Sequence, residues 1–175
     1  PGKGDRMRRA IGLLRRIRWR RVLFDLAVVA AIVAAVGAWQ ARHLVHAGPA
    51  PALALPTLAG EEFDLAALRG EKVLVVFWAP WCGVCKLEMP TLTALAKDGV
   101  RVVGVALGHR DAGEVERFVR AHAPGFPILL GDERTARAWK VESFPTLYVI
   151  DEAGEIEHAL VGYATGFGLR LRLLF

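Results

Sequence analysis

Two cysteines separated by two residues, placed directly after a short apolar run, constrain this chain more than anything else in it. Trp81-Cys82-Gly83-Val84-Cys85-Lys86 holds both cysteines of the 175 residues. The run before it, Val73–Trp78, is continuously apolar and rich in β-branched residues, the pattern of a strand buried on both faces. Thiols at this spacing at the start of a helix can close a small disulfide ring. The positive end of the helix favours an anionic sulfur, so the first cysteine is expected to be a thiolate near neutral pH. Strand, loop and C-x-x-C in succession point to thiol–disulfide exchange.

A bound metal is the competing use of two thiols. Structural zinc needs four ligands. There is no second cysteine pair, and His43, His46, His109, His122 and His158 are scattered without ligand spacing. No metal and no cofactor are therefore expected. Two soft thiolates also suit Cu(I), which leaves a Cu(I)-handling protein as a second reading.

The charge is unevenly spread. Residues 1–46 hold ten Lys/Arg and two Asp, a balance of +8, whereas residues 47–175 hold thirteen Lys/Arg and sixteen Asp/Glu, a balance of −3. The main domain thus has no nucleic-acid footprint. Residues 1–21 form a basic segment. Val22–Trp39 follows as an apolar stretch whose one charge, Asp25, lies in its first turn. At about 1.5 Å rise per residue it reaches roughly 27 Å, close to a bilayer's hydrocarbon core. Trp19 and Trp39 bracket it as interfacial aromatics do. A cleaved leader calls for a shorter apolar region. Nine Lys/Arg precede the stretch and only Arg42 follows before the domain. The positive-inside rule then sets the N-terminus in the cytoplasm and the C-terminal domain in the periplasm of a bacterium. The expected organisation is a basic cytoplasmic segment at 1–21, a transmembrane helix at 22–39, a linker at 40–56 and one domain at 57–175. Pro49, Pro51 and Pro56 read as an extended tether.

Within the domain the pattern predicts a short hairpin arm at Glu61–Asp64, one helical turn at Leu65–Leu68 and a strand at Val73–Trp78. A helix follows over Cys82–Asp98 with Pro90 inside it, then a strand at Val100–Leu107. A helix at Ala112–His122, a strand at Ile128–Leu130 and a short helix at Thr135–Lys140 come next. The end is a hairpin of Thr146–Ile150 with Glu155–Val161 and a helix from Phe167. Alternating strands and helices closed by an antiparallel hairpin give an α/β architecture with a mixed sheet.

These residues resemble the thioredoxin superfamily from about residue 50 onward. Phe77-Trp78-Ala79-Pro80-Trp81-Cys82-Gly83-Val84-Cys85-Lys86 is similar to its active-site strand and loop, and Pro90 to the proline in its active-site helix. Phe144-Pro145-Thr146 is similar to its cis-proline loop, and Gly162 to the glycine ending its last strand. The extra unit Ala112–Leu130 and Glu88 look like the membrane-anchored periplasmic branch of the TlpA type. Within that branch, Gly83-Val84 and the tail from Gly162 are most similar to the D type of suppressor-of-copper-sensitivity proteins.

The resemblance implies a thioredoxin-like fold with one extra helix–strand insertion. It implies Cys82 as attacking nucleophile, Cys85 as buried resolving thiol and a cis Pro145 beside the sulfurs. A substrate groove is expected around Trp81, Val84, Phe144 and Thr146. Thioredoxins carry a buried aspartate where Val76 stands here. Glu88, one turn beyond Cys85, is the candidate replacement as proton acceptor, set against a partly exposed glutamate paired with a lysine. The implied partners are protein thiol or disulfide substrates and a membrane electron-transfer protein of the DsbD type. Reduction is the expected direction, with disulfide donation as the alternative.

Overall fold

The computed structural model describes residues 19–32, 35–36 and 48–174. The chain divides into two compact units, Pro1–Trp39 and Gln40–Phe175. In the first, residues 19–32 form helix α1. No helix among the described residues is long and apolar enough to cross a membrane. The expected span at 22–39 lies partly outside those residues.

The second unit is built on a five-stranded sheet in the order β5-β4-β3-β6-β7. Strand β3 (Val73–Trp78) pairs in parallel with β4 (Arg101–Ala106) and antiparallel with β6 (Thr146–Ile150). β5 (Ile128–Leu130) adds in parallel to β4, and β7 (Ile156–Val161) closes the other side against β6. The unit Ala112–Leu130 thus supplies helix α3 (Ala112–His122) and an edge strand.

The unbroken apolar run of β3 has a plain cause: both faces of the sheet are covered. Leu74, Val76 and Trp78 enter one core with Cys82, Cys85, Met89 and Leu92 of the active-site region and Leu169 of helix α5 (Gly166–Leu174). Val73, Val75 and Phe77 enter the other with Leu53, Trp139 and Tyr148. Tyr148 donates its hydroxyl to the Trp139 carbonyl at 2.6 Å, which lets a buried phenol keep a partner.

Most elements form where the pattern predicts them, and two readings need correction. The proline-bearing stretch before residue 57 is no free tether. Ala54–Pro56 is a strand, β1, paired with β2 (Glu62–Asp64). Leu53 is fully buried, and the Ala50 N–H donates to the Gly154 carbonyl at 3.0 Å. Thr57 bridges Leu129, and the Leu58 N–H donates to the Ile128 carbonyl, so this lead-in covers the edge of β5 that would otherwise be open to pairing. Prolines kept at strand ends and edges are compatible with that role.

The second correction is helix α4, which runs Glu133–Ala138 rather than starting at Thr135. Asp132 is its N-cap and accepts from the Thr135 N–H at 2.8 Å. A carboxylate in that position starts a helix rather than ending a turn.

If the lead-in belongs to the folded domain, Leu53→Ala should lower unfolding stability by about 2–5 kcal/mol, the usual range for such a truncation in a core. Urea denaturation of the full chain in detergent measures it; an unchanged midpoint would return the segment to the role of tether.

A disulfide above a buried carboxyl

Helix α2 (Gly83–Lys97) begins immediately after the C-terminal end of the central strand β3. Cys82 is its N-cap, and its sulfur accepts the Cys85 N–H at 3.1 Å. Cys82 and Cys85 are joined by a disulfide. Cys82 keeps 6 % of its surface and Cys85 only 1 %. The first sulfur is therefore the one a partner reaches, and it occupies the place where amide dipoles converge. Reduction of the disulfide releases Cys82 into a field that favours its anion. Pro90 lies inside α2, where it has no N–H to donate to the preceding turn.

The predicted groove residues do not all fall together. The Trp81 side chain is exposed and donates its indole N–H to the Gly108 carbonyl at 2.9 Å. Phe144, partly buried, meets it edge-on, with ring centroids 5.5 Å apart. Val84 is exposed beside the cysteines. Pro145 is buried, and the Phe144–Pro145 bond is cis. Its carbonyl accepts the Gly162 N–H at 2.8 Å. Thr146 departs from the expectation: it is fully buried, with its hydroxyl donating to the Ser143 carbonyl at 2.7 Å. As the first residue of β6, paired with Phe77, it supports the proline loop from inside and lines no groove.

Glu88 is neither exposed nor paired with a lysine. It is 1 % exposed and shares a core cluster's surroundings on the inward face of α2 with Cys85 and Met89. One carboxyl oxygen accepts the Ala164 N–H at 2.8 Å; the other has no partner. Burial pushes the carboxyl up from 4.5 to about 7, while the Ala164 N–H pulls the other way. Removing a carboxylate from water disfavours the charged form, and one amide donor does not compensate. Residues three apart on a helix are neighbours, so a carboxyl that titrates near neutrality lies one turn beneath Cys85.

Two contacts escape a reading along the chain. The Trp81–Gly108 hydrogen bond ties the active-site loop to the loop after β4, and Ala164 is 76 residues from Glu88. Gly108 has no side-chain chemistry and Ala164 acts through its backbone, so neither announces itself in sequence. Among the described residues no group of three or more His, Cys, Asp or Glu is placed to hold a metal ion.

Residues 47–159 match the AhpC/TSA family. The chain is 39% identical over 121 residues to the thioredoxin-like protein YneN of Bacillus subtilis, covering 66% of this chain and 71% of that protein. It is 30% identical over 158 residues to the thiol-disulfide oxidoreductase ResA of Geobacillus kaustophilus, covering 83% and 90%. Among solved structures it is similar to a putative thiol:disulfide interchange protein DsbE from Chlorobium tepidum. That match has a TM-score of 0.67 at 28% identity and covers 75% of this chain and 96% of that one. StoA from Bacillus subtilis matches with a TM-score of 0.62 at 28% identity, covering 70% and 96%.

The raised carboxyl makes a stability prediction with a definite sign. Between pH 4.5 and about 7 the folded chain holds a proton on Glu88 that the unfolded chain has released. Stability therefore falls as pH rises through that window and levels off above it. At about 1.4 kcal/mol per unit the fall is about 3 kcal/mol. Glu88→Gln, neutral throughout, should flatten that part of the profile in urea unfolding at a series of pH values. An unaltered slope would place the titration elsewhere.

Proposed function

The chain belongs to the AhpC/TSA family and is a thioredoxin-like thiol–disulfide oxidoreductase; we propose that it is a reductase held in a bacterial cell membrane, its domain in the periplasm. The arginine-rich segment before Val22–Trp39 supports the anchor and its orientation. The anchor, the buried carboxyl beneath Cys85 and the likeness to the TlpA type together support reduction as the direction.

In the reduced protein, the Cys82 thiolate attacks one sulfur of a substrate disulfide. That S–S bond breaks, the departing substrate sulfur takes a proton, and a mixed disulfide joins Cys82 to the substrate. Cys85 then gives its proton to the Glu88 carboxylate and attacks the Cys82 sulfur. The second substrate sulfur leaves and takes a proton, and the Cys82–Cys85 disulfide forms. The substrate gains two electrons and two protons. A resolving thiol with a proton acceptor completes this second half readily, and a carboxyl titrating near 7 is matched to that transfer. The exposed Trp81 and Val84, with Phe144, form the apolar surface against which an extended substrate lies.

With one cysteine pair in the chain, each turnover leaves an oxidised protein that a second protein must reduce. A membrane electron-transfer protein of the DsbD type, carrying cytosolic reducing equivalents outward, is the partner this reading requires.

The full chain recovered from carbonate-washed membranes tests both parts. An anchored protein stays with the membrane, and loss into the wash would contradict the anchor. The reduction potential of the recovered protein, measured against a glutathione series, should be about −270 mV or lower. A value near about −120 mV belongs to a disulfide donor and would reverse the direction.

A further inference from the structure

Helices α2 and α5 lie side by side, tied at three successive points along α2. Glu88 accepts the Ala164 N–H, a Cβ on Gly166 would lie 3.2 Å from the Thr91 methyl, and Asp98 pairs with Arg170. The residues next to these ties are apolar and face outward. Leu87, which precedes Glu88, is 72 % exposed, and Tyr163, which precedes Ala164, is also exposed. On α5, Phe167 is 78 % exposed and Leu174 75 %, with Leu171 between them. Large apolar side chains scattered singly on a surface are ordinary; a contiguous set marks a contact.

This face is continuous with the disulfide. Val84 and Leu87 sit one turn apart on α2, and the hydrogen bond from the Ala164 N–H to Glu88 brings the residue after Leu87 against the residue after Tyr163, at the entry to α5. The face shares Val84 with the surface where the extended substrate is placed and leaves Trp81 and Phe144 free. The exposed charges of the two helices are mainly basic: among the described residues Lys86 and Lys97 on α2 and Arg172 on α5 pair with no carboxylate, whereas Arg170 pairs with Asp98. Residues 47–175 as a whole carry a balance of −3, so this basic edge is local. The family match ends at residue 159, before Tyr163 and α5.

We infer that the α2–α5 face is the docking surface for the folded dithiol protein that reduces the Cys82–Cys85 disulfide, a partner with an apolar contact edged by carboxylates. The inference rests on the reductase reading. Continuity with the disulfide argues for a redox partner rather than lipid, and the basic flanks select an acidic edge. Docked there, the partner's thiolate attacks the Cys82 sulfur. The Cys82–Cys85 bond breaks, and Cys85 leaves as a thiolate and takes a proton. The partner's second thiolate then attacks its own sulfur in the mixed disulfide and displaces Cys82. The partner becomes a disulfide, and two electrons have entered this chain.

The test compares two reductants of the oxidised full chain in detergent: dithiothreitol, and the reduced soluble dithiol domain of a DsbD-type transporter. The variant is Phe167→Glu with Leu174→Glu, two exposed positions away from the sulfurs. Its rate with dithiothreitol should stay within about twofold of wild type, and its rate with the protein domain should fall about tenfold or more. Raising the ionic strength should slow the protein reaction of the wild type and leave the dithiothreitol reaction unchanged. Equal losses with both reductants would overturn the inference, because the substitutions would then act on the disulfide itself. Unchanged rates with both would overturn it too, as expected if this face meets lipid or a second copy of the chain. A wild-type chain that the domain reduces no faster than dithiothreitol does would also overturn it. A reduction potential in the range of a disulfide donor, measured against the glutathione series, is the separate result that would sink the reductase reading.

Discussion

Everything chemical in this protein depends on one helix N-terminus being held at the end of one buried strand. Cys82 caps α2, and α2 starts where β3 ends. β3 is fixed by pairing on both edges and by a core on each face. The sulfur is therefore delivered to a defined point in the field of the helix by the most constrained strand of the sheet. A looser mounting would leave the thiolate to bulk water and to its ordinary acidity. The apolar character of Val73–Trp78 and the reactivity of Cys82 are two consequences of the same placement.

The second constraint is a cost accepted inside the core. A carboxyl at Glu88 with one amide donor and one unpaired oxygen is a poor occupant of an apolar cluster. Replacing it by a hydrophobic residue of similar volume would remove that penalty. The proposed role as proton acceptor beneath Cys85 gives that cost a use, in a sheet where Val76 offers none. The same carboxyl holds the Ala164 N–H and so fixes the chain that leads into α5. The proposed proton site and the placement of the chain entering α5 thus share one side chain.

What was legible in the sequence was what repeats locally. The β3 run, the cysteine spacing, the start of α2 and the final hairpin each carry their signal within a few residues. The fold class and the redox pair followed from them. Two of the misreadings involve partners distant in the chain. Proline composition made residues 49–56 look like a tether, whereas Leu53 and Ala50 are committed to a core and a loop about a hundred residues later. Thr146 looked like groove because it follows the proline, yet strand pairing turns it inward. The early start of α4 has a local cause: Asp serves both turns and caps, and only the Thr135 N–H decides that Asp132 is a cap. Glu88 was open between a surface pair and a buried acid until the Ala164 contact and its burial were known. The α2–α5 face has no sequence signature at all, since it joins two helices far apart in the chain through contacts such as Glu88 with Ala164.

The central claim is that Cys82 attacks and Cys85 resolves, and trapping of the half-reaction tests it most directly. Reduced full-length Cys85→Ser and Cys82→Ser proteins would each be mixed with a peptide carrying a single disulfide, and the adducts mapped by mass spectrometry. The account predicts that Cys85→Ser accumulates a stable mixed disulfide on Cys82, while Cys82→Ser, left with a buried sulfur, forms little. Equal trapping on both sulfurs, or faster trapping on Cys85, would contradict the account.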